Sequence, residues 1–221
     1  MPDPEPANRK PRRSVARGKG REALCRALPR VVARDGFDGV TFRAVAAEAG
    51  VTHGLASYHF GTRESMIHEA LKWAVENTLE ATHLRAPVDN IEYFAADVPR
   101  ALSQRPEDAV FQFDVLLRAL RNPALLADVR KSYNDYVDAI EESLGGCGIA
   151  GTVIARLVFA ALDGLTLQQL LYGDRNRTEE AIAVLRHLLS LLASSMDRTP
   201  EPIVTEHPRP RMGDLRLSAG E

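Results

Sequence analysis

The sequence predicts an all-α protein with a small N-terminal helical domain and a larger helical body. Apolar residues recur at helical spacing over most of the chain between residues 21 and 196. No alternating strand pattern of useful length occurs. Capping residues and prolines stand where the periodic segments begin, and glycines stand where several of them end. With 221 residues, the chain is long enough for one long domain or two short ones.

The chain begins with a segment that lacks periodic apolar residues. Residues 1–20 are rich in Pro, Arg and Gly, so we expect a disordered basic arm. The first helix is expected over residues 21–35, with Leu24, Leu28 and Val31 on one face. Pro29 lies inside this helix and is expected to kink or shorten it, because proline removes one backbone hydrogen bond.

Two short helices joined by a glycine turn are predicted next. Thr41 is a good N-cap residue, and the apolar residues that follow it share one helical face: Phe42, Val45, Ala46 and Ala49. Gly50 tolerates the left-handed conformation that a sharp turn between helices needs. The second helix, over about residues 53–58, gives few residues to a core and leaves its other face free. This is the outline of a helix-turn-helix, although a buried helical hairpin gives a similar pattern.

The charge of the chain is distributed unevenly. The net charge is −2, but residues 1–63 carry 12 Lys and Arg against 6 Asp and Glu, a net +6, and residues 64–221 carry −8. A basic N-terminal domain on an acidic body is typical of a protein that binds nucleic acid through one end. The basic arm itself could follow the DNA or could serve as a solubilising tail.

The run TFRAVAAEAGVTHGLASYHFGTRE, residues 41–64, strongly resembles the DNA-binding domain of the TetR family of bacterial regulators. The resemblance covers about residues 21–71 and depends on the Ala-Gly-Val turn, the Tyr-His-Phe triplet and the following Thr-Arg-Glu, all at the family's spacing. It implies a three-helix helix-turn-helix DNA-binding domain over residues 21–64. It also implies a helical ligand-binding and dimerisation domain over residues 65–196.

The resemblance implies roles for individual residues at the DNA. His53, Gly54 and Ser57 are expected at base edges, and Thr52, Tyr58 and His59 at phosphates. Thr41, Arg43 and Arg63 are expected at helix starts that face the duplex backbone. Helix starts and hydroxyls suit phosphates, and short side chains allow close approach to bases. Ser57 stands where many relatives carry an aromatic residue, which leaves the operator sequence open.

The body is expected to contain a fourth helix over residues 62–82 and five more near residues 91–104, 107–121, 123–144, 152–172 and 178–196. The last two have apolar faces wider than one core contact requires. Pairing with the same two helices of a second chain is the simplest use of that width, and the resemblance implies the same four-helix arrangement. The residues expected at this dimer interface are Leu157, Leu165, Leu185, Leu188 and Leu192.

The body also carries aromatic residues and isolated polar groups on apolar segments. Aromatics at these spacings are more often core than pocket. The resemblance, however, implies a cavity that accepts a small molecule and changes the spacing of two DNA-binding domains. The residues expected to bind such a ligand are Trp73, Phe94, Phe111, Asp114, Arg118, Tyr136, Phe159 and Asp163.

No catalytic or metal-binding pattern accompanies these features. No His-x-x-x-His pair, G-x-S-x-G turn or phosphate-binding glycine loop is found, so no cofactor and no metal are expected. Two cysteines are too few for a disulfide scaffold, and no apolar run approaches the ~20 residues of a membrane span. The start lacks the hydrophobic region of a signal peptide, and we expect a cytoplasmic protein. Residues 197–221 read as a disordered Pro-rich tail.

The sequence thus predicts a homodimeric transcriptional regulator, most simply a repressor. It would bind a palindromic operator in double-stranded DNA, because two recognition helices held one or more turns apart read a palindrome. A small-molecule effector would release it. Two alternatives stay open: a dimeric DNA-binding regulator without a ligand and, less favoured, a helical enzyme.

Overall fold

The computed structural model describes residues 17–196, and every regular element in that range is helical, as the sequence predicts. Two short 3₁₀ turns, Phe37–Gly39 and Ile91–Tyr93, interrupt the succession of α-helices. The helices within the described range are α1 (Arg17–Asp35), α2 (Phe42–Glu48), α3 (His53–Phe60), α4 (Arg63–Thr82), α5 (Val98–Gln104), α6 (Pro106–Ala119), α7 (Pro123–Gly145), α8 (Thr152–Tyr172) and α9 (Arg175–Met196).

Helix α1 begins four residues before the expected start, at Arg17. Residues 17–20 of the expected arm are therefore helical, and the rest of that arm lies outside the described residues. Gly20 is buried against α3, where an added Cβ would stand 3.0 Å from Cδ2 of Leu55. Pro29 does not shorten α1 as expected: the helix is continuous through this buried residue to Asp35. Packing of α1 on α2, α4 and α6 offsets the lost hydrogen bond.

The helix-turn-helix forms as predicted. The Thr41 hydroxyl accepts a hydrogen bond from the backbone N–H of Ala44 at 3.1 Å and so caps α2. Gly50 adopts φ +68°, and the N–H of the next residue, Val51, donates to the carbonyl of Ala46 at 2.9 Å. Helix α3 is too short to be stable alone and is held by two buried residues, Ala56 and Phe60.

The body differs from the sequence prediction at two helix boundaries. Residues 91–104 do not form one helix: the 3₁₀ turn is followed by irregular backbone, with Ala95 at φ +54°, and α5 begins only at Val98. Pro99 in the first turn of α5 favours this late start. Helix α9 begins at Arg175 rather than 178, because an Asp174 carboxylate oxygen accepts from the N–H of Arg177 at 3.2 Å and caps the helix early.

Helix α8 is long and apolar enough to cross a membrane by length and composition alone, a property that the sequence reading overlooked. It packs against α7 and α9 within the body through Ala155, Val158 and Leu162, which are all buried. Much of its apolar surface is nevertheless exposed. One such helix is weak evidence for a membrane protein. Contact with a second protein chain covers such a face equally well.

Candidate DNA-binding surface and ligand cavity

The N-terminal half of α3 presents an open polar surface. Thr52, His53 and Gly54 are exposed, and Tyr58 one turn further on is 71% exposed. Thr52 occupies the N-cap position, but its side chain makes no capping hydrogen bond, so its hydroxyl is available to an external partner. Nothing lies within 4 Å of a Cβ built on Gly54, which leaves the backbone open to close approach. This surface is therefore open to contact with an external partner.

Two residues of α3 are more engaged than the sequence suggested. The Ser57 hydroxyl donates to the carbonyl of His53 at 3.1 Å. Nε2 of His59 is buried without a hydrogen-bond partner in the described structure, 3.7 Å from the place of a Cβ on Gly20. Only the other ring nitrogen of His59 is left for contact with a phosphate. His59 therefore also locates the start of α1 against α3.

The three helix-start residues differ in their surroundings. Arg43 is exposed in the first turn of α2, and the Thr41 hydroxyl accepts a capping bond but keeps its own proton to donate. Arg63 is used internally: Nε donates to the carbonyl of Val40 at 2.8 Å and Nη2 donates to the carbonyl of Phe37. Two donor groups of Arg63 are thus used within the chain, and its expected contact with the duplex stays a prediction. The guanidinium fastens α4 to the turn between α1 and α2.

A cavity of about 140 Å³ lies in the body between α4, α5, α6, α7 and α8. Three of the eight expected ligand residues line it: Tyr136, Phe159 and Asp163. Phe94 and Phe111 are instead fully buried core residues outside the lining. The remaining three, which also lie outside the lining, are Trp73, Asp114 and Arg118. Helical periodicity places a residue on a face but does not reveal which part of that face is left unfilled.

One wall of the cavity is aromatic. The ring of Phe159 stacks on Tyr136 with centroids 5.3 Å apart and meets Tyr133 edge-on at 5.0 Å. The Tyr136 hydroxyl donates to Oε1 of Gln112 at 2.8 Å, and Nε2 of Gln112 donates to the Thr78 hydroxyl at 3.3 Å. Burial raises the pKa of Tyr136, so it stays a neutral donor. Gln112 and Thr78 could not be predicted as cavity residues, because a polar residue on a long helix usually faces solvent.

Two carboxylates also line the cavity. Asp108 is buried and receives hydrogen bonds from Nη2 of Arg105 at 2.9 Å and from Nδ2 of Asn77 at 3.2 Å. Burial raises its pKa to about 6 in spite of the neighbouring Arg105. Asp163, on α8, accepts a hydrogen bond from the Tyr133 hydroxyl at 3.3 Å, and burial raises its pKa as well.

Arg118 connects the cavity helix α6 to the DNA-binding domain. Its guanidinium lies 4.3 Å from the centre of the buried Phe37 ring, and that of Arg63 lies 5.4 Å from the same ring. Asp38 is 3.9 Å from Arg118, too far for a strong ion pair. Asp108 and Arg118 are ten residues apart on one helix, about 15 Å at 1.5 Å per residue. Helix α6 therefore extends from the cavity to the turn that Arg63 holds.

Helices α8 and α9 carry the expected apolar surface. Leu157 is 72% exposed and Leu188 is 58% exposed. Leu165, Leu185 and Leu192 are partly buried and pack against their own core. Further exposed apolar side chains lie on the same two helices but were not among the residues expected at the interface: Val153, Leu167, Leu171, Val184 and Leu191. Such an area is larger than scattered surface leucines would give.

Two family models match the chain. Residues 26–70 match the one described as bacterial regulatory proteins, tetR family. Residues 87–191 match the one described as tetracyclin repressor-like, C-terminal domain. Together these matches cover the helix-turn-helix, the cavity walls from α5 to α8, and most of α9, while the cavity residues of α4 lie between the two matched ranges.

Several known proteins are similar to the chain. The HTH-type transcriptional regulator CymR from Pseudomonas putida is 24% identical over 160 residues, which cover 67% of this chain and 78% of CymR. A structure of a TetR family member from Streptomyces coelicolor A3 is 27% identical, with a TM-score of 0.59, covering 79% of this chain and 98% of that one. The multidrug binding protein EbrR complexed with malachite green is 28% identical, with a TM-score of 0.55, covering 76% and 96%.

Proposed function

Because the chain belongs to the TetR family of DNA-binding transcriptional regulators, we propose that it acts as a homodimeric repressor of a palindromic operator. A small-molecule effector that occupies the body cavity releases it from the DNA. The observation that carries this proposal is the combination of an open recognition helix at one end with a lined cavity and an uncovered apolar face in the body. The protein works in the cytoplasm, where its DNA lies.

The dimer forms through α8 and α9. Their exposed apolar residues stand on the outer sides of both helices, while the inner sides pack on α5 and α7. Two copies of this face make an isologous four-helix interface. Two recognition helices then read inverted half-sites, which gives selectivity that one short helix lacks.

At the DNA, His53, Gly54 and Ser57 face base edges, and Thr41, Arg43, Thr52, Tyr58 and His59 contact the backbone. Long side chains that reach into the groove are scarce on α3, since Gly54 has none and the Ser57 hydroxyl donates within the helix. Backbone contacts and half-site spacing therefore contribute much of the selectivity. Because phosphate contacts dominate, the affinity falls steeply as salt is added.

The effector binds in the cavity beside Tyr136, Phe159 and Asp163. EbrR, a relative of similar fold, has been solved with imidazole and with malachite green bound. The cavity favours this function over a regulator without a ligand, because it combines an aromatic wall with a few polar anchors. Effector binding displaces α6, and Arg118 passes the movement through Phe37 to the DNA-binding domain.

The operator is unidentified, so the test selects bound duplexes from a random DNA pool. Wild-type protein is expected to recover inverted repeats whose centres are one or more helical turns apart. The double variant Leu157→Glu/Leu188→Glu is expected to recover no inverted repeats. Leu117→Glu, which alters a similarly exposed leucine of α6, is expected to recover the same repeats as the wild type. Single, unpaired sites selected by the wild-type protein would contradict the palindrome.

The effector is tested with the selected operator. A compound that binds the wild-type protein in the cavity is expected to lower operator affinity. Ala109→Trp, which places a large side chain at the cavity wall, is expected to keep operator affinity within about threefold and to lose the response. An unchanged response in this variant would place the effector elsewhere.

A further inference from the structure

The charges around the cavity do not balance. Its charged lining residues are Arg105, Asp108 and Asp163, since the lining Tyr133 and Tyr136 stay neutral. Arg105 and Asp108 form an ion pair at 2.9 Å, and the carboxylate of Glu107 lies 3.8 Å from Nε of Arg105. The single positive charge is thus already matched by two acids. Asp163 adds a third negative charge on the other side of the cavity.

Asp163 lacks a cationic partner. Within residues 17–196 it takes part in no ion pair, and its hydrogen bond from the Tyr133 hydroxyl is long, at 3.3 Å. The side chain is half-buried on the inner side of α8. A carboxylate taken out of water with one weak donor is destabilised, as the raised pKa of Asp163 reflects. A cation that enters the cavity would relieve this cost.

The neighbours of Asp163 suit a flat or apolar cation. Phe159 precedes it by four residues on α8, so the two side chains lie one above the other on the same helical face. Tyr133 touches both, because it donates to Asp163 and packs edge-on against Phe159. Aromatic faces attract positive charge as well as apolar groups. One carboxylate and one aromatic wall therefore meet at a single place in the cavity.

We propose that the effector is an organic monocation, whose positive charge pairs with Asp163 and whose aromatic or apolar body lies against Phe159. This inference rests on the proposed function of the cavity as the effector site. An anionic effector would need Arg105, whose Nε has no hydrogen-bond partner in the described structure. The two carboxylates beside that guanidinium make this arrangement unfavourable.

Three probes of similar shape and different charge test the proposal. They are N-methyl-4-phenylpyridinium, neutral 4-phenylpyridine and anionic biphenyl-4-carboxylate, measured by equilibrium dialysis with the full chain at about pH 8. The cation is expected to bind most tightly and the carboxylate most weakly. Asp163→Asn is expected to weaken binding of the cation by about tenfold or more, because it removes the opposite charge of a partly buried ion pair, and to leave 4-phenylpyridine within about twofold. Unchanged 4-phenylpyridine binding also reports an intact cavity.

Asp114→Asn is the matched control. It makes the same change on α6 outside the cavity lining and is expected to leave all three affinities unchanged. Tightest binding of the carboxylate, or an equal effect of Asp163→Asn on every probe, would overturn the cation while leaving the cavity as a binding site. Failure of all three probes to bind the wild-type protein would overturn both the cation and the effector cavity.

Discussion

Replacing Leu157 by glutamate is expected to convert the dimer into monomers. Full burial of a leucine contributes about 1.5–3 kcal/mol. Leu157 is 72% exposed in the single chain, so about 1–2 kcal/mol is still to be gained at each of two symmetric positions. The total of about 2–4 kcal/mol corresponds to a dissociation constant raised roughly 30-fold to 1,000-fold. The two buried carboxylates add several kcal/mol more.

Sedimentation equilibrium over a range of protein concentrations measures this change. Leu157 and Leu188 are suitable probes because they are exposed, whereas a charge at the partly buried Leu192 would also disturb the protomer's own core. Leu117→Glu is the control, since Leu117 is 61% exposed on α6. An unchanged dimer in Leu157→Glu, together with a monomeric Leu117→Glu, would move the interface from α8 and α9 to α6.

Three further predictions concern the DNA, the connection between domains and the cavity. Tyr58→Phe is expected to weaken binding to every duplex about equally in fluorescence anisotropy, since it removes a phosphate contact; altered preference among duplexes would contradict that role. Arg118→Ala is expected to keep operator affinity but to reduce effector-induced release by about 5-fold to 30-fold, because it removes a cation–π contact of about 1–2 kcal/mol. Arg121→Ala, which alters an exposed arginine nearby, is expected to leave release intact. Asp108 has a pKa of about 6 in the folded protein, so its protonation stabilises the fold below about pH 4 and this stabilisation is lost as pH rises through 6. The unfolding free energy of wild type, compared with that of Asp108→Asn, should therefore fall by about 3 kcal/mol between pH 4 and 7 in denaturant titrations. A difference between the two proteins that stays constant with pH would contradict the raised pKa.

Local chemistry made the DNA-binding domain predictable. Thr41, Gly50 and Thr62 each act through their own backbone neighbourhood, and each does what its residue type suggests. Pro29 misled the prediction because the tertiary packing of α1 outweighs one missing hydrogen bond. The internal hydrogen bonds of Arg63 could not be predicted, because the carbonyls that it binds, of Val40 and Phe37, lie more than 20 residues away in the chain.

The cavity was predictable only in part, because an unfilled space is a property of packing between helices. Asp163 and Phe159 stood out as a polar and an aromatic residue on an apolar helix, and both line the cavity. Trp73 and Phe111 had the same kind of signal and lie outside it. The exposed apolar face of α8 and α9 was easier to predict, because a count of apolar residues beyond one core-facing stripe includes Val153 and Leu167 as well as Leu157.

The most direct test of ligand-controlled DNA binding is a pair of titrations on one sample. The affinity for the selected operator is measured with and without saturating N-methyl-4-phenylpyridinium, and the affinity for that cation is measured with and without the operator. Because the two sites are linked, the account predicts that each ligand weakens the other by the same factor, about 5-fold to 150-fold. Operator affinity that stays constant while the cation fills the cavity would contradict it.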